Sequence, residues 1–259
     1  MSESVLGIRD ALARVIERRD LTSAEMASVV GEIMDGKATP AQIGALLAAM
    51  RMKGETVDEV VGAAQAMRAR MTRVPFDAEA MVDLCGTGGD GSRSINVSTI
   101  AAFVVAGAGV AVPKHGNRAQ SSQSGAHDVI EALGLNPATT PDLSLRCLQE
   151  AKLAFLFAPA HHAATKHVVG PRKEVGFRTL FNLLGPLTNP AGVRVHVNGI
   201  FAKDRCELLA RAHGALGARR ALVIHGAGGL DEFAPSGGGS NREKRHNRDP
   251  RETSQEEHA

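Results

Sequence analysis

Apolar and polar residues alternate along this chain in two rhythms, and the change between them divides it. Over residues 1–72 apolar positions recur every three or four residues, as in Val-Val-Gly-Glu-Ile-Met at 29–34 and Ile-Gly-Ala-Leu-Leu-Ala-Ala-Met at 43–50. That spacing places them on one face of a helix. Start and stop signals frame the runs: Thr22 with Glu25 and Thr56 with Glu59 match the capping box, Thr39 precedes Pro40, and Gly36 and Gly54 close two helices. Four successive patterns predict a small helical domain over 1–72 whose alanine-rich faces allow close approach. Its polar residues are the capping and solvent-facing kinds, so it reads as scaffold or subunit interface.

From about residue 80 short apolar stretches at 81–84, 110–112, 153–158, 193–201 and 221–225 alternate with helical patterns at 98–106, 125–133, 142–151 and 204–216. This predicts a larger α/β domain over 73–235 with a mainly parallel sheet. In such a sheet ligands bind beyond the carboxyl ends of the strands, which directs attention to the loops after Leu84, Val112, Ala158 and His225. Residues 236–259 hold no aliphatic side chain except Ala259 and read as a disordered tail.

Composition narrows the choice of partner. The 259 residues are 43% hydrophobic, which excludes disorder as the overall class, and the net charge of +2 gives no ground for a nucleic-acid or membrane partner. All aromatic residues are Phe, at 3%, so little is available for stacking on bases. Cys85, Cys147 and Cys206 are odd in number and form no CxxC pair, which fits a reducing cytoplasm better than a disulfide framework or a zinc site. The longest apolar run, 100–112, is broken by glycines and too short to span a bilayer.

Four loops carry unusual residues. Cys85-Gly86-Thr87-Gly88-Gly89-Asp90-Gly91-Ser92 precedes a helical pattern, so backbone N–H groups and a helix N-terminus can face an anion. Gly86, Gly88 and Gly91 satisfy GxGxxG, but Lys114-His115 stand where a dinucleotide fold carries an acid, and the Walker A lysine is missing. Asp90 suits a ribose hydroxyl, an amine or a hydrated metal; a plain tight turn is the alternative for the whole loop. Lys114-His115-Gly116-Asn117-Arg118, with Ser121, Ser122 and Ser124, concentrates cations and hydroxyls fit for phosphoryl oxygens and a carboxylate, or forms a solvated basic loop. His161-His162 lacks metal-ligand spacing, and Arg172 suits a carboxylate clamp or a surface ion pair. Asp231-Glu232, after a strand, suits Mg²⁺ shared with phosphate oxygens.

Together the stretches Gly-Thr-Gly-Gly-Asp-Gly with Asn-Val-Ser-Thr, Lys-His-Gly-Asn-Arg with Ser-Ser and Ser-Gly, Arg172 with Arg-Thr-Leu-Phe-Asn-Leu-Leu-Gly-Pro-Leu-Thr-Asn-Pro, and Gly-Leu-Asp-Glu closely resemble the anthranilate phosphoribosyltransferase family. The four helical patterns resemble that family's helical domain. The resemblance implies transfer of the phosphoribosyl group of 5-phosphoribosyl 1-diphosphate to anthranilate, with release of pyrophosphate, Mg²⁺ as cofactor and a homodimer built through the helical domain. It implies a diphosphate-substrate site of Gly86, Gly89, Asp90, Ser94, Asn96, Val97, Ser98 and Thr99, extended by Lys114, His115, Gly116, Asn117, Arg118, Ser121, Ser122 and the backbone of Ala126. Gly86, His115, Asn117, His162 and Arg172 would contact anthranilate, and Ser98, Asp231 and Glu232 would serve the metal.

No general base is implied, because an aromatic amine is already neutral near pH 7, and positioning with electrostatic stabilisation suffices for a leaving pyrophosphate. His127 stands where the family usually has a small residue, and Ala163 and Thr165 where Pro and Met are frequent. The resemblance stops soon after Glu232, where the family continues with further strands and helices; the change looks like a truncated or frameshifted reading frame. An incomplete sheet would expose an apolar edge and lower stability. The runner-up readings are a pyrimidine nucleoside phosphorylase and an inactive remnant that binds or dimerises.

Overall fold

The computed structural model describes residues 6–88, 95–118, 125–136, 140–234 and 240–245. Four helices come first: α1 (Ile8–Ile16), α2 (Ser23–Met34), α3 (Pro40–Lys53) and α4 (Val57–Arg70). Capping boxes at Thr22, Thr39 and Thr56 start α2, α3 and α4, each satisfying backbone N–H groups the helix cannot bond itself. At Gly36 and Gly54 the backbone takes φ of +72° and +90°, which favours glycine where the chain leaves α2 and α3. Helices α2 and α4 touch so closely that a Cβ on Gly62 would stand 2.2 Å from the Ser23 carbonyl oxygen. Behind them Glu59 is buried, accepting from the Leu21 N–H at 3.0 Å and from Lys53 Nζ at 3.0 Å.

The α/β part comprises α5 (Val97–Gly107), β1 (Val112–Gly116), α6 (Ala126–Ala132), α7 (Pro141–Ala151), β2 (Leu153–Phe157), α8 (Ala158–His161), α9 (Lys166–Val175), α10 (Phe181–Leu184), β3 (Val195–Gly199), α11 (Cys206–Ala215), β4 (Arg220–His225) and β5 (Ser240–Arg245). Strands β1 and β2 pair in parallel, as do β3 and β4. Residues 80–87 join the two groups: Val82 N–H donates to Ala111 O at 2.9 Å on one side, and Val197 N–H to Asp83 O at 2.9 Å on the other. Parallel bridges link Met81 to Ala111 and Asp83 to His196, so the spatial order is β2, β1, residues 80–87, β3, β4, β5. The predicted strand at 81–84 is thus the middle of the sheet, held by isolated bridges.

Alternation sorts the side chains between two faces. Leu84, Val112, Leu153 and Val197 point toward α5, whereas Leu148 of α7 packs with Ala154 and Leu156 on the opposite face. There α11 lies on β4, and the buried rings of His196 and His213 stack at 4.3 Å. One apolar cluster runs from the four-helix region through Val168, Phe181 and Leu184 to Leu209, Ala212 and Val223. The two parts therefore share a core. Arg68 of α4 donates from Nε to Leu187 O at 2.6 Å, and Glu55 pairs with Arg205 at 2.8 Å across the same junction.

Two expectations need correction. The stretch read as structureless from 236 onward includes β5, which pairs antiparallel with β4 from Arg220↔Arg245 to His225↔Ser240. Backbone pairing asks nothing apolar of the side chains, and the outer edge of β4 offers an open row of N–H and C=O groups; a charged strand there also blunts the edge. For the same reason the sheet exposes no apolar edge at β4. Bare apolar surface lies instead on α5, which leaves Ile100 and Val104 exposed.

Candidate active site

The parallel strands all end on one side of the sheet, and four of the loops there come from widely separated stretches of sequence. Beyond the central segment the chain turns through Gly86-Thr87-Gly88, with Gly88 at φ +65°. Thr87 N–H donates to Gly199 O at 2.9 Å, its Oγ1 accepts from Phe201 N–H at 3.1 Å, and Asn198 Nδ2 donates to Cys85 O at 2.6 Å. These bonds fasten the glycine loop to the end of β3. The loop after β4 folds over the same place: a Cβ on Gly199 would stand 1.4 Å from Asp231 O, and one on Gly226 2.3 Å from Glu232 O. Asp231 Oδ2 lies 3.5 Å from the position a Gly86 Cβ would take, so the structure brings the first and last of the predicted loops together. Burial pushes the Cys85 thiol up to about 12, with the nearby Asp83 charge adding to it, which leaves Cys85 inert.

Lys114 and His115 lie within β1 and are buried. Lys114 Nζ donates to Leu84 O at 3.2 Å, directly beneath the glycine loop. The His115 ring bonds Gly185 O through Nδ1 at 3.0 Å and faces the His162 ring at 5.1 Å. Burial, then the neighbouring His162, holds His115 well below the usual imidazole range; burial, then His161, takes His162 down to about 4. Both rings are neutral near pH 7, and each keeps a buried Nε2 without a protein partner. His161 turns away and bonds Thr72 O through Nδ1 at 2.8 Å.

Past β1, Asn117 is exposed and its carbonyl accepts the His127 N–H at 3.4 Å. Gly116 leaves room for α6: a Cβ there would stand 3.3 Å from His127 Cε1 and 3.4 Å from Ala126 Cβ. The His127 ring is buried against Phe157 at 4.8 Å, and burial takes its pKa down to about 4. Arg118 closes onto α6, with Nη1 3.2 Å from Asp128 and 2.6 Å from Glu131.

Arg172 is half-buried on α9, its guanidinium 5.7 Å from the Phe181 ring centre and 3.4 Å from Asn182 Oδ1. Asn96 caps α5 by position, Val97 and Ser98 form its first turn, and Thr99 is buried. Gly89, Asp90, Ser94, Ser121 and Ser122 lie outside the described residues.

Asp83 escaped the sequence reading. Its carboxyl is fully buried in the central segment, 3.4 Å from the His115 N–H, and burial raises its pKa to about 6 against the opposing influence of Asn189 and Lys114. An acid inside an otherwise apolar strand, Met-Val-Asp-Leu-Cys, was the available signal. Among the described residues no three His, Cys, Asp or Glu side chains gather as a metal cluster. The Asp231 carboxylate beside the glycine loop, with Glu232 next to it in sequence, fits Mg²⁺, which takes one or two carboxylates and fills its shell with water and substrate oxygens.

Helices packed on a mainly parallel sheet, with glycines, cations and an acidic loop at the strand ends, place this chain among the α/β proteins that bind their ligands beyond the carboxyl ends of the strands. The helical bundle domain of the glycosyl transferase family matches residues 9–71, and that family's a/b domain matches residues 78–253, past the point where the motifs stop. The chain is 54% identical to the anthranilate phosphoribosyltransferase of Anaeromyxobacter sp. (strain Fw109-5) over 230 residues, 89% of this chain and 68% of that one. Against the enzyme of Ectopseudomonas mendocina (strain ymp) it is 52% identical, covering 88% and 66%.

The crystal structure of anthranilate phosphoribosyltransferase from Thermus thermophilus matches with a TM-score of 0.84 at 39% identity, over 90% of this chain and 73% of that one. The Saccharomyces cerevisiae enzyme in complex with PRPP and Mg matches with a TM-score of 0.83 at 27% identity, over 94% and 73%. This chain belongs to the anthranilate phosphoribosyltransferase family, pentosyl-transferring enzymes of tryptophan biosynthesis. It spans 68% and 66% of the length of the two curated relatives. These matches leave the nucleoside phosphorylase reading without support.

Proposed function

We propose that this chain carries the phosphoribosyl transfer from 5-phosphoribosyl 1-diphosphate to the anthranilate amine on its strand-end loops, with Mg²⁺ as cofactor. The observation that carries the reading is the meeting of Gly86, Gly199 and Asp231 directly above the buried Lys114. The Gly86–Gly88 turn offers backbone to phosphoryl oxygens, helped by the N-terminus of α5. Asn96, Val97, Ser98 and Thr99 would continue that wall, and Gly116, Asn117 and the Ala126 backbone would form the other; Gly89, Asp90, Ser94, Ser121 and Ser122 are assigned to the same substrate by the motif resemblance alone. Asp231, Glu232 and Ser98 would hold Mg²⁺, which supplies neutralising charge to the diphosphate.

Lys114, shielded from water, would add positive charge where the leaving pyrophosphate gathers negative charge. The neutral His115 and His162 rings give the aromatic acceptor a wall that does not compete for its proton, and Arg172 supplies a planar fork for its carboxylate. Arg118 acts at one remove: held by Asp128 and Glu131, it ties the Asn117 loop to α6. A homodimer through the helical domain would cover Ile16 and Met52, which are exposed on α1 and α3. A cytoplasmic setting is supported by the free thiols of Cys85, Cys147 and Cys206; no described helix is long and apolar enough to cross a membrane.

The test is loss of anthranilate fluorescence on mixing the chain with Mg²⁺ and phosphoribosyl diphosphate. Turnover is expected; absence of both turnover and calorimetric binding of phosphoribosyl diphosphate overturns the reading. With activity in hand, Arg172→Ala should raise the KM for anthranilate about tenfold or more while moving that for phosphoribosyl diphosphate little. Equal changes in both would remove the clamp role.

A further inference from the structure

The sheet loses its regular ladder where the site begins. Ala111 N–H donates to Ala80 O at 2.9 Å and Val82 N–H to Ala111 O at 2.9 Å, the alternating pattern of a parallel pair. The next rung needs an N–H from the residue two further along β1, and that residue is Pro113. Proline has none to give. Past it, no backbone bond joins residues 80–87 to β1 among the described residues, although β1 keeps its register with β2 as far as Gly116.

Side chains occupy the rungs that follow. Continued regularly, the ladder would pair Pro113 O with the Leu84 N–H and Leu84 O with the His115 N–H. Instead Pro113 O accepts from Asn189 Nδ2 at 2.8 Å, Leu84 O accepts from Lys114 Nζ at 3.2 Å, and the His115 N–H turns to Asp83 Oδ1 at 3.4 Å. Asp83, Lys114 and Asn189 are all buried, so water does not stand in for a lost rung. The opening lies toward the carboxyl ends of the strands, where sheets of this kind bind their ligands. The His115 ring is anchored separately, to Gly185 O, and faces the His162 ring at 5.1 Å. A shift of the His115 backbone therefore changes the gap between the two rings.

We propose that Asp83 is a positioning residue of the transfer: by standing in for the ladder bond that Leu84 O does not make, it fixes the His115 backbone and, with it, the His115–His162 spacing that admits the aromatic acceptor. The proposal deepens the phosphoribosyl-transfer reading and rests on it. Lys114 has its own tie to Leu84 O, so loss of Asp83 falls on the acceptor more than on the diphosphate substrate.

Asp83→Asn keeps an oxygen able to accept the His115 N–H, whereas Asp83→Leu, of similar shape, has none. Both are compared with the unchanged full chain by initial rates in Mg²⁺ and by amide hydrogen exchange at His115. Asp83→Leu should raise the KM for anthranilate about tenfold or more, move that for phosphoribosyl diphosphate by less than about threefold, and speed His115 exchange about tenfold or more. Asp83→Asn should stay within about threefold of the unchanged chain in each of these measurements. Equal rises in both KM values for Asp83→Leu overturn the proposal, because general loosening of the fold does the same. A defect in Asp83→Asn as large as that in Asp83→Leu also overturns it, since the charge and not the bond is then at work. Should Asp83→Leu give no cooperative thermal transition, Asp83→Ser, too short to reach the N–H, takes its place under the same criteria. A full chain that neither turns over nor binds phosphoribosyl diphosphate ends the transfer reading before any variant is made, and the exchange measurement still judges Asp83. Protection lost in Asp83→Leu and kept in Asp83→Asn sustains the cross-link; equal protection in all three chains overturns it.

Discussion

Helices α4 and α5 are built from the same small and β-branched residues, but α4 buries eight of its 14 residues and α5 two of its 11. Charge placement accounts for how each meets water. Helix α4 carries Asp58 and Glu59 in its first turn and Arg68 and Arg70 in its last, so each end has polar work to do and the middle is left to pack on α2 and α11. No such boundary exists on α5. The contrast teaches that apolar content alone does not report burial in a given structure; it reports burial in the structure for which the sequence is suited.

The comparison is broken most severely at Glu59. Glu59→Ala would leave Lys53 Nζ, on a 4% exposed side chain, without its buried partner and would free the Leu21 and Thr56 N–H groups. Stability in urea should drop by roughly 3–5 kcal/mol. Close backbone approach comes next. Gly62→Ala and Gly199→Ala each place a Cβ against a carbonyl oxygen, at 2.2 Å and 1.4 Å, and each should cost about 1–3 kcal/mol or more. The difference lies in function: calorimetry should show diphosphate-substrate affinity retained in Gly62→Ala and lost in Gly199→Ala, whose obstruction falls on the Asp231 loop.

Acid sharpens the picture at the shared core. Burial, then the Arg68 charge, takes His196 down to about 4, and burial, then His196, holds His213 well below its usual range. The unfolded chain binds these protons near the ordinary 6.5 while the folded chain refuses them. Stability from these rings is therefore complete above pH 6.5 and lost as pH falls toward 4, by of order 2–3 kcal/mol for His196. Asp83, raised to about 6, works in the opposite direction, but His115, His127, His161 and His162 are also lowered and side with the first pair. Urea midpoints should fall between pH 6.5 and 4, and His213→Leu should flatten that slope. The smallest effect belongs to α5: Thr99 Oγ1 is buried without a partner, so Thr99→Val should change stability by less than about 1 kcal/mol.

Much of this was legible beforehand, for identifiable reasons. Thr22, Thr39 and Thr56 announce helices because capping is local chemistry, written within four residues. The strand–helix alternation and the four loops follow from period and glycine placement. Helix α9 was not announced, because Gly170 and Pro171 interrupt its pattern, although the helix continues through them to Val175. Strand β5 was invisible to a reading based on apolar burial, since its pairing is purely backbone. The burial of Lys114 and the His196–His213 stack could not be read from spacing, because each depends on elements that meet only after the sheet has formed. Among the candidate site residues, the glycines and cations can be singled out by type, while Asp83 and the Thr87–Gly199 bond cannot, being contacts across strands.

The middle of the sheet is made from its earliest segment. Thr87 waits for Gly199, 112 residues further along the chain. At the usual pace of synthesis, 5–20 residues per second, that interval lasts roughly 6–22 s. For that time the strand destined for the most protected place in the domain stands with one side unclaimed. Asp83, costly once buried, is a charge in the middle of an apolar strand, the kind of residue that in general disfavours pairing between exposed copies of such a strand.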